Sequence, residues 1–276
     1  MKVYASPKER LCAFFYFSSA HKIYFEGEIM TLREFFNDNP KVALAFSGGV
    51  DSAYLLYAAK KYAKEVRAYY VKSSFQPQFE LDDAKKLADL LNADMKVINV
   101  DVLADPVVAA NPSDRCYYCK NKIFGTILSE AHRDGFTVLM DGTNASDDAG
   151  DRPGMRALRE MKVLSPLRLS GLTKTEIRRL SKEAGLFTHD KPAYACLATR
   201  IPTGCPITEE NLKRTEICEG YLFSMGFTDF RIRSVGDDAK LQIKEDQLAV
   251  LIKEREEILK LLKPYYKNVL LDMEVR

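Results

Sequence analysis

The run Ser47-Gly48-Gly49-Val50-Asp51-Ser52 places hydroxyl, glycine and carboxylate groups at a spacing suited to binding an anion. Gly48 and Gly49 can bring backbone N–H groups up to a phosphate with no β-carbon in the way, and Ser47 and Ser52 add hydroxyl donors. Asp51 can cap a following helix, or help hold a magnesium ion that partly neutralises the phosphates. An ordinary Gly-Gly turn between strand and helix is the plainer alternative, but six residues in this order and context favour pyrophosphate. Neither the Walker pattern nor the dinucleotide pattern Gly-x-Gly-x-x-Gly fits them.

Thiols form the second chemical set. Cys116-Tyr-Tyr-Cys119 directs both sulfurs to one side, which suits zinc, iron-sulfur ligation or dithiol exchange, and Cys196 and Cys205 follow at a distance. These thiols could converge where loops at one end of a sheet meet. A fourth thiolate from Cys205 would suit a closed zinc site, and two unrelated buried thiols are the bland alternative. Cys218 falls inside a predicted helix and reads as packing, while Cys12 lies in the N-terminal stretch. The three histidines occupy no motif.

These groups need a frame. Val42–Phe46 has the length and composition of a buried parallel strand, and Ser52–Ala63 reads as the helix that follows, which puts phosphate at a helix N-terminus. Strands are predicted at 66–71, 95–100 and 137–140, with Val163 leading a further short run, and helical spacing recurs through Ala84, Leu87, Ala88 and Leu91. Thr31 and Thr173 read as N-caps. Beyond Ile201-Pro-Thr-Gly-Cys-Pro206 the pattern becomes helix 208–225, strands 230–235 and 240–244, helix 245–262 and strand 268–275. The expected fold is α/β: a doubly wound parallel sheet over residues 30–203 and a smaller α+β domain over 204–276. A unit that small needs a surface to pack on, either the first domain or another subunit, and a homo-oligomer is expected.

Gly142 and Asn144, in Asp141-Gly-Thr-Asn144 after the fourth strand, should face the nucleotide crevice; loop geometry and capping are the alternative. Asp147 and Asp148 could hold magnesium or stay solvated, and Arg152 and Arg156 could contact phosphate or lie in an exposed basic loop. Phe230-Arg-Ile-Arg-Ser234 alternates, putting Arg231 and Arg233 on one sheet face, where two guanidiniums suit a phosphate or carboxylate or form an ordinary solvated face. Against 39 acidic residues stand 41 basic ones, a formal net charge of +2, so nothing suggests a dedicated nucleic-acid-binding protein. No apolar stretch is long enough to span a bilayer. Residues 1–29 loosely imitate a secretory signal, but their apolar core is short, so they read as an extension from an upstream start with Met30 as the natural one. A chain with a pyrophosphate-binding loop is expected in the cytoplasm, where nucleoside triphosphate is.

The loop Ser47–Ser52 resembles the PP-loop of the ATP pyrophosphatase superfamily, whose members adenylate a substrate and release pyrophosphate. Together with Arg115-Cys-Tyr-Tyr-Cys-Lys120, Asp141-Gly-Thr-Asn144, Arg152-Pro-Gly154 and Ala195-Cys-Leu-Ala-Thr-Arg-Ile-Pro202, it resembles the LarE family from about Met30 onward. These are ATP-dependent sulfur-insertion enzymes of nickel-pincer nucleotide synthesis. The resemblance implies an adenine nucleotide alpha hydrolase-like fold, ATP and Mg2+, and a pyridinium-3,5-biscarboxylic acid mononucleotide whose carboxylates become thiocarboxylates. Some family members sacrifice one cysteine. Others bind a [4Fe-4S] cluster with three, and Cys116, Cys119 and Cys196 match that version, with Cys196 in the catalytic position. By the same resemblance Arg200, Arg231, Arg233, Glu219 and Asp272 would hold the substrate, and a downstream nickel-insertion protein would receive the product. Cys205 departs from the family pattern; a fourth thiolate would suit closed zinc, but the resemblance favours the cluster and leaves Cys205 an uncommitted extra thiol. The rival readings are a PP-loop tRNA thiolase and a non-catalytic nucleotide-binding protein with structural zinc.

Overall fold

The computed structural model describes residues 30–147 and 153–274, together with the backbone of β1 (Tyr16–Phe17) and β2 (Ile23–Tyr24), which pair antiparallel. Cys12, Asp148, Arg152 and the remainder of the N-terminal extension lie outside the described residues. Helix α1 (Leu32–Asp38) begins at a capping box in which Thr31 and Glu34 satisfy each other's backbone N–H groups. Then come β3 (Lys41–Ala45), α2 (Val50–Tyr62), β4 (Glu65–Lys72), α3 (Gln78–Leu90), β5 (Asp94–Asn99), α4 (Pro106–Ala110), α5 (Arg115–Arg133), β6 (Leu139–Met140), α6 (Pro153–Glu160), α7 (Pro166–Leu169) and α8 (Lys174–Glu183).

The sheet is parallel, in the order β5-β4-β3-β6. Alternate strand residues serve opposite layers. Val42, Leu44 and Tyr70 pack with Phe35, Leu55, Leu56 and Leu87 on one face, while Ala43 and Tyr69 pack with Ile127, Ala131 and Phe136 on the other. This two-sided burial is why the strands read as continuous apolar runs. From β3 the chain adds β4 and β5 on one side, then returns to lay β6 on the other. The carboxyl ends of β3 and β6 therefore flank the switch point where such sheets bind ligands.

The smaller unit comprises α9 (Glu209–Ser224), β7 (Arg231–Val235), β8 (Asp238–Gln242), α10 (Leu248–Lys253), α11 (Arg255–Leu262) and β9 (Asn268–Leu271). Its strands β7 and β8 form a hairpin, and β9 runs parallel to β8. Leu222, Phe230, Ile232, Leu241, Ile258 and Tyr266 form its separate core, which also buries Cys218.

Several boundaries differ from the sequence reading. Helix α2 starts at Val50, with Gly49 as its N-cap, so Asp51 sits inside the first turn and is not the cap. The run after Val163 contributes only a bridge, Leu164 opposite Met140. Glu254 ends α10 and opens α11, breaking the helix expected over 245–262. The Cys-x-x-Cys segment, for which the sequence reading assigns no element, forms the first turn of α5, an amphipathic helix of 19 residues.

Helix α8 begins at a second capping box, Thr173 with Glu176, and this fixes the next residue, Lys174, beside the loop after β3. Thr173→Ala is expected to lower unfolding free energy by about 1 kcal/mol, measured by urea denaturation.

Candidate active site

The turn after β3 is tied by its own hydroxyls. The Ser47 and Ser52 hydroxyl oxygens lie 3.0 Å apart, the Ser47 backbone N–H donates to Ser52 Oγ at 3.3 Å, and Ser52 Oγ donates to the Gly49 carbonyl at 3.2 Å. Gly48 has φ +72°, and a β-carbon there would stand 3.0 Å from Ala84 Cβ on α3. Only glycine meets both conditions without displacement. Behind the turn, a β-carbon on Gly142 would lie 2.9 Å from the Ser52 nitrogen, so the Asp141–Asn144 loop packs directly on the start of α2. Asn144 Nδ2 donates to Asp51 Oδ1 at 3.4 Å, and Lys174 Nζ donates to Asp51 Oδ2 at 2.5 Å. Burial raises the Asp51 pKa, and Lys174 counters that rise.

A cavity of about 390 Å³ opens over this turn. Ser47, Gly49 and Asp51 line it, as do Tyr70, Glu80, Phe124, Lys174, Lys191, Tyr194 and Cys196. The phosphate-loop residues and Cys196 thus share one space, although 144 positions separate Ser52 from Cys196 in the numbering. The turn carrying Cys196 is held in place by Leu197 N–H, which donates to the Phe75 carbonyl at 2.9 Å.

The cysteines differ in exposure: Cys116 is exposed, Cys119 buried and Cys196 half-buried. Cys116 and Cys119 lie one turn apart on α5, so they share a face. Burial pushes the Cys119 thiol up to about 12, with the Cys196 and Cys116 sulfurs adding to the rise. Arg115 Nη1 donates to Cys196 Sγ at 3.7 Å. Burial alone would lower the Arg115 pKa, but the negative charge available at Cys196, Cys116 and Cys119 raises it instead. The three sulfurs and Arg115 therefore form one electrostatic group whose chemistry suits a thiolate-ligated centre. Among the described residues, no three His, Cys, Asp or Glu side chains are gathered as a ready set of ligands for a single metal ion. Cys205 is exposed, on the loop after the Cys196 turn.

The other arginine and acid candidates are not among the residues lining this cavity. Arg200 and Glu219 are each 1% exposed and form a two-pronged pair, Nε to Oε1 at 2.8 Å and Nη2 to Oε2 at 3.0 Å. Arg200 Nη1 donates to the Ala195 carbonyl and to Thr199 Oγ1, both at 2.9 Å. Glu219 also accepts from the Tyr194 hydroxyl at 2.5 Å and from the Ile232 N–H at 2.9 Å. Arg233 Nη1 donates to the Thr199 carbonyl at 3.0 Å and its Nε to Gln242 Oε1 at 2.6 Å; Gln242 in turn donates to Asp272 at 2.9 Å. Lys240 and Gln242 hold the Asp272 carboxyl below its usual range. Arg231 shares a strand face with Arg233, one pleat away. These residues join the Cys196 turn to the smaller unit.

Sequence reasoning passed over Glu80, Lys174, Lys191 and Tyr194. Lys174 had a signal, directly following the Thr173 cap. Glu80 looked like any acid in the first turn of a helix. Burial lifts its carboxyl to about 7, with Lys191 and Arg200 opposing the rise.

The sheet order and the glycine turn at the switch point define a PP-loop ATP-utilising protein. Residues 41–111 match the queuosine biosynthesis protein QueC family. An uncharacterized protein of Synechocystis is 33% identical over 83% of this chain and 86% of its own length. The pyridinium-3,5-bisthiocarboxylic acid mononucleotide synthase of Lactiplantibacillus plantarum is 31% identical over 79% of this chain and 80% of its own. The tRNA-specific 2-thiouridylase of Thermotoga petrophila is 24% identical over 55% of this chain and 54% of its own. The chain belongs to the LarE family within the PP-loop superfamily.

Glu219→Ala, which strands the buried Arg200 guanidinium, is expected to cost about 3–5 kcal/mol of stability in urea unfolding, and Arg200→Met with Glu219→Leu less than that. Gly48→Ala should weaken ATP binding by about tenfold or more, measured by calorimetry, because the turn must move to admit the methyl group.

Proposed function

We propose that this chain is an ATP-dependent sulfurtransferase that adenylates the two carboxylates of pyridinium-3,5-biscarboxylic acid mononucleotide and replaces each with a thiocarboxylate. The observation that carries this reading is the single cavity shared by the phosphate-loop residues and Cys196. A carboxylate oxygen is a poor leaving group, so it must first be activated. The substrate oxygen attacks the ATP α-phosphorus, the bond from that phosphorus to the bridging oxygen breaks, and pyrophosphate leaves. A sulfur nucleophile then adds at the acyl carbon and AMP departs with its oxygen.

The backbone N–H groups at Gly48 and Gly49, the Ser47 and Ser52 hydroxyls and the start of α2 would receive the phosphates. Lys174 and Lys191 supply positive charge at the cavity wall, and Asp51 beside Asn144 is where Mg2+ would be held. Gly142 keeps that wall close to α2. Cys196 presents sulfur to the same space, with the Arg115 guanidinium donating to it. Cys116, Cys119 and Cys196 are the residues that would hold a [4Fe-4S] cluster, which when bound would supply a transferable sulfide. Arg231 and Arg233 would meet the substrate's anionic groups at the edge of the site, with Asp272 orienting Arg233 through Gln242. Arg200 and Glu219 would support the substrate from behind, by fixing the Cys196 turn.

The product carries two soft sulfur ligands, which suits a downstream protein that inserts nickel. Among the described residues no helix is long and apolar enough to cross a membrane, and we place the reaction in the cytoplasm with its ATP. Leu270 and Leu271 on β9 remain open at the edge of the small sheet, where a second copy would cover them.

The test is anaerobic incubation with ATP, Mg2+ and the pyridinium biscarboxylate. Expected are pyrophosphate, AMP and a product whose mass shows sulfur in place of oxygen. Cys196→Ala should retain pyrophosphate release while the sulfur product falls by about a thousandfold or more. Pyrophosphate release with tRNA and none with the pyridinium would overturn the assignment. Iron and sulfide that require Cys116, Cys119 and Cys196 but survive Cys205→Ala are the expected metal analysis; zinc with an equal need for Cys205 would overturn the cluster.

A further inference from the structure

One charged group in the cavity has no part in the chemistry above. Glu80, in the first turn of α3, lines the cavity one helical turn before Ala84, which packs on Gly48. Among the described residues its carboxylate makes no hydrogen bond and no ion pair. Nearby cations are already committed: Lys191 Nζ to Asp83 at 2.7 Å, Arg200 to Glu219, and Lys72 Nζ to the Gln76 carbonyl. The remaining titratable groups facing it are Tyr70 and Tyr194. The Tyr70 hydroxyl is buried with no partner, and the Tyr194 hydroxyl already donates to Glu219. Glu80 is thus a half-buried carboxyl whose protein counter-ions are all taken, facing a space that also has the rings of Tyr70, Phe124 and Tyr194 on its wall.

A carboxylate withdrawn from water and left unpaired favours a ligand that brings positive charge. Aromatic walls favour a flat organic cation over a hydrated metal ion, which wants oxygen donors and water. We propose that Glu80 is the residue that recognises the cationic ring of the substrate, holding the positively charged pyridinium against its carboxylate within the aromatic part of the cavity. The inference rests on the sulfurtransferase reading and adds to it the residue that distinguishes a pyridinium from a neutral ring with the same carboxylates and phosphate. The group that burial lifts to about 7 is pulled back to its charged form when the cation arrives. Affinity for the cationic ring should therefore rise with pH as Glu80 ionises through about 7, while affinity for a neutral ring should not follow that profile.

Calorimetry on the full chain with ATP bound compares the pyridinium biscarboxylate mononucleotide with its ring-reduced, uncharged dihydropyridine form. Wild type is expected to prefer the charged ring by about tenfold or more, and Glu80→Gln to bring the two affinities within about threefold. The variant should leave ATP affinity and Mg2+ dependence unchanged and should lose the pH dependence. Glu80→Gln that keeps the wild-type preference overturns the inference while leaving the sulfurtransferase reading intact. Equal weakening of ATP or a shifted Mg2+ requirement also overturns it, by assigning Glu80 to the nucleotide or its metal ion. Failure of wild type to bind either ring form removes the functional reading and this inference with it.

Discussion

A guanidinium and a carboxylate taken almost wholly out of water hold this molecule together at its most demanding point. Arg200 follows the Cys196 turn and Glu219 lies on α9, so their two-pronged pair fastens that turn to the smaller unit. Desolvating both charges is expensive, and the cost is met only because nearly every remaining donor and acceptor is also used: Ala195, Thr199, Tyr194 and the Ile232 N–H complete the set. Hydrophobic residues could fill the same volume. They could not specify the angle at which the turn meets the sheet, because apolar packing lacks direction, whereas this network has one arrangement that satisfies all its members.

The phosphate turn is built on the opposite principle. It is held by close approach of backbone, with Gly48 against Ala84 and Gly142 against Ser52, and its serine hydroxyls are spent partly on one another. That leaves the N-terminus of α2, from Gly49 to Asp51, lining the cavity with its partial positive charge. The two devices meet in a space where Lys174 and Lys191 are anchored by Asp51 and Asp83. Fixed charges in a partly enclosed site need little rearrangement when an anion arrives, which is what favours attack at a phosphorus centre over unproductive binding.

The same economy explains the thiols. Arg115 stands between the α5 cysteines and Cys196, so one buried cation serves three sulfurs carried by distant parts of the chain. Burial raises the Cys119 thiol, the Cys196 and Cys116 sulfurs add to the rise, and Arg115 opposes it. Exposure orders the set from Cys116 outside to Cys119 inside, with Cys196 between them on the cavity wall.

Much of this was legible in the primary structure. The apolar runs at 42–46 and 66–71, buried on both faces, and the Gly-Gly turn declare a parallel sheet and a phosphate site, since periodicity and glycine freedom are local properties. Both threonine caps were readable for the same reason. The amphipathic helix α5 has no counterpart in the sequence reading, where Cys116 and Cys119 stand for their chemistry and the helical spacing around them goes unread. The helix expected over 245–262 breaks at Glu254, which no glycine or proline announces. The site divides along the same line. Residue types and motif spacing named Ser47, Asp51 and the cysteines, because their chemistry belongs to the side chain itself. Burial and partnership are created by packing, and only the tertiary structure made Arg200 and Glu219 a closed pair, set Lys174 against Asp51, and left the Glu80 carboxyl facing the cavity with every nearby cation already taken.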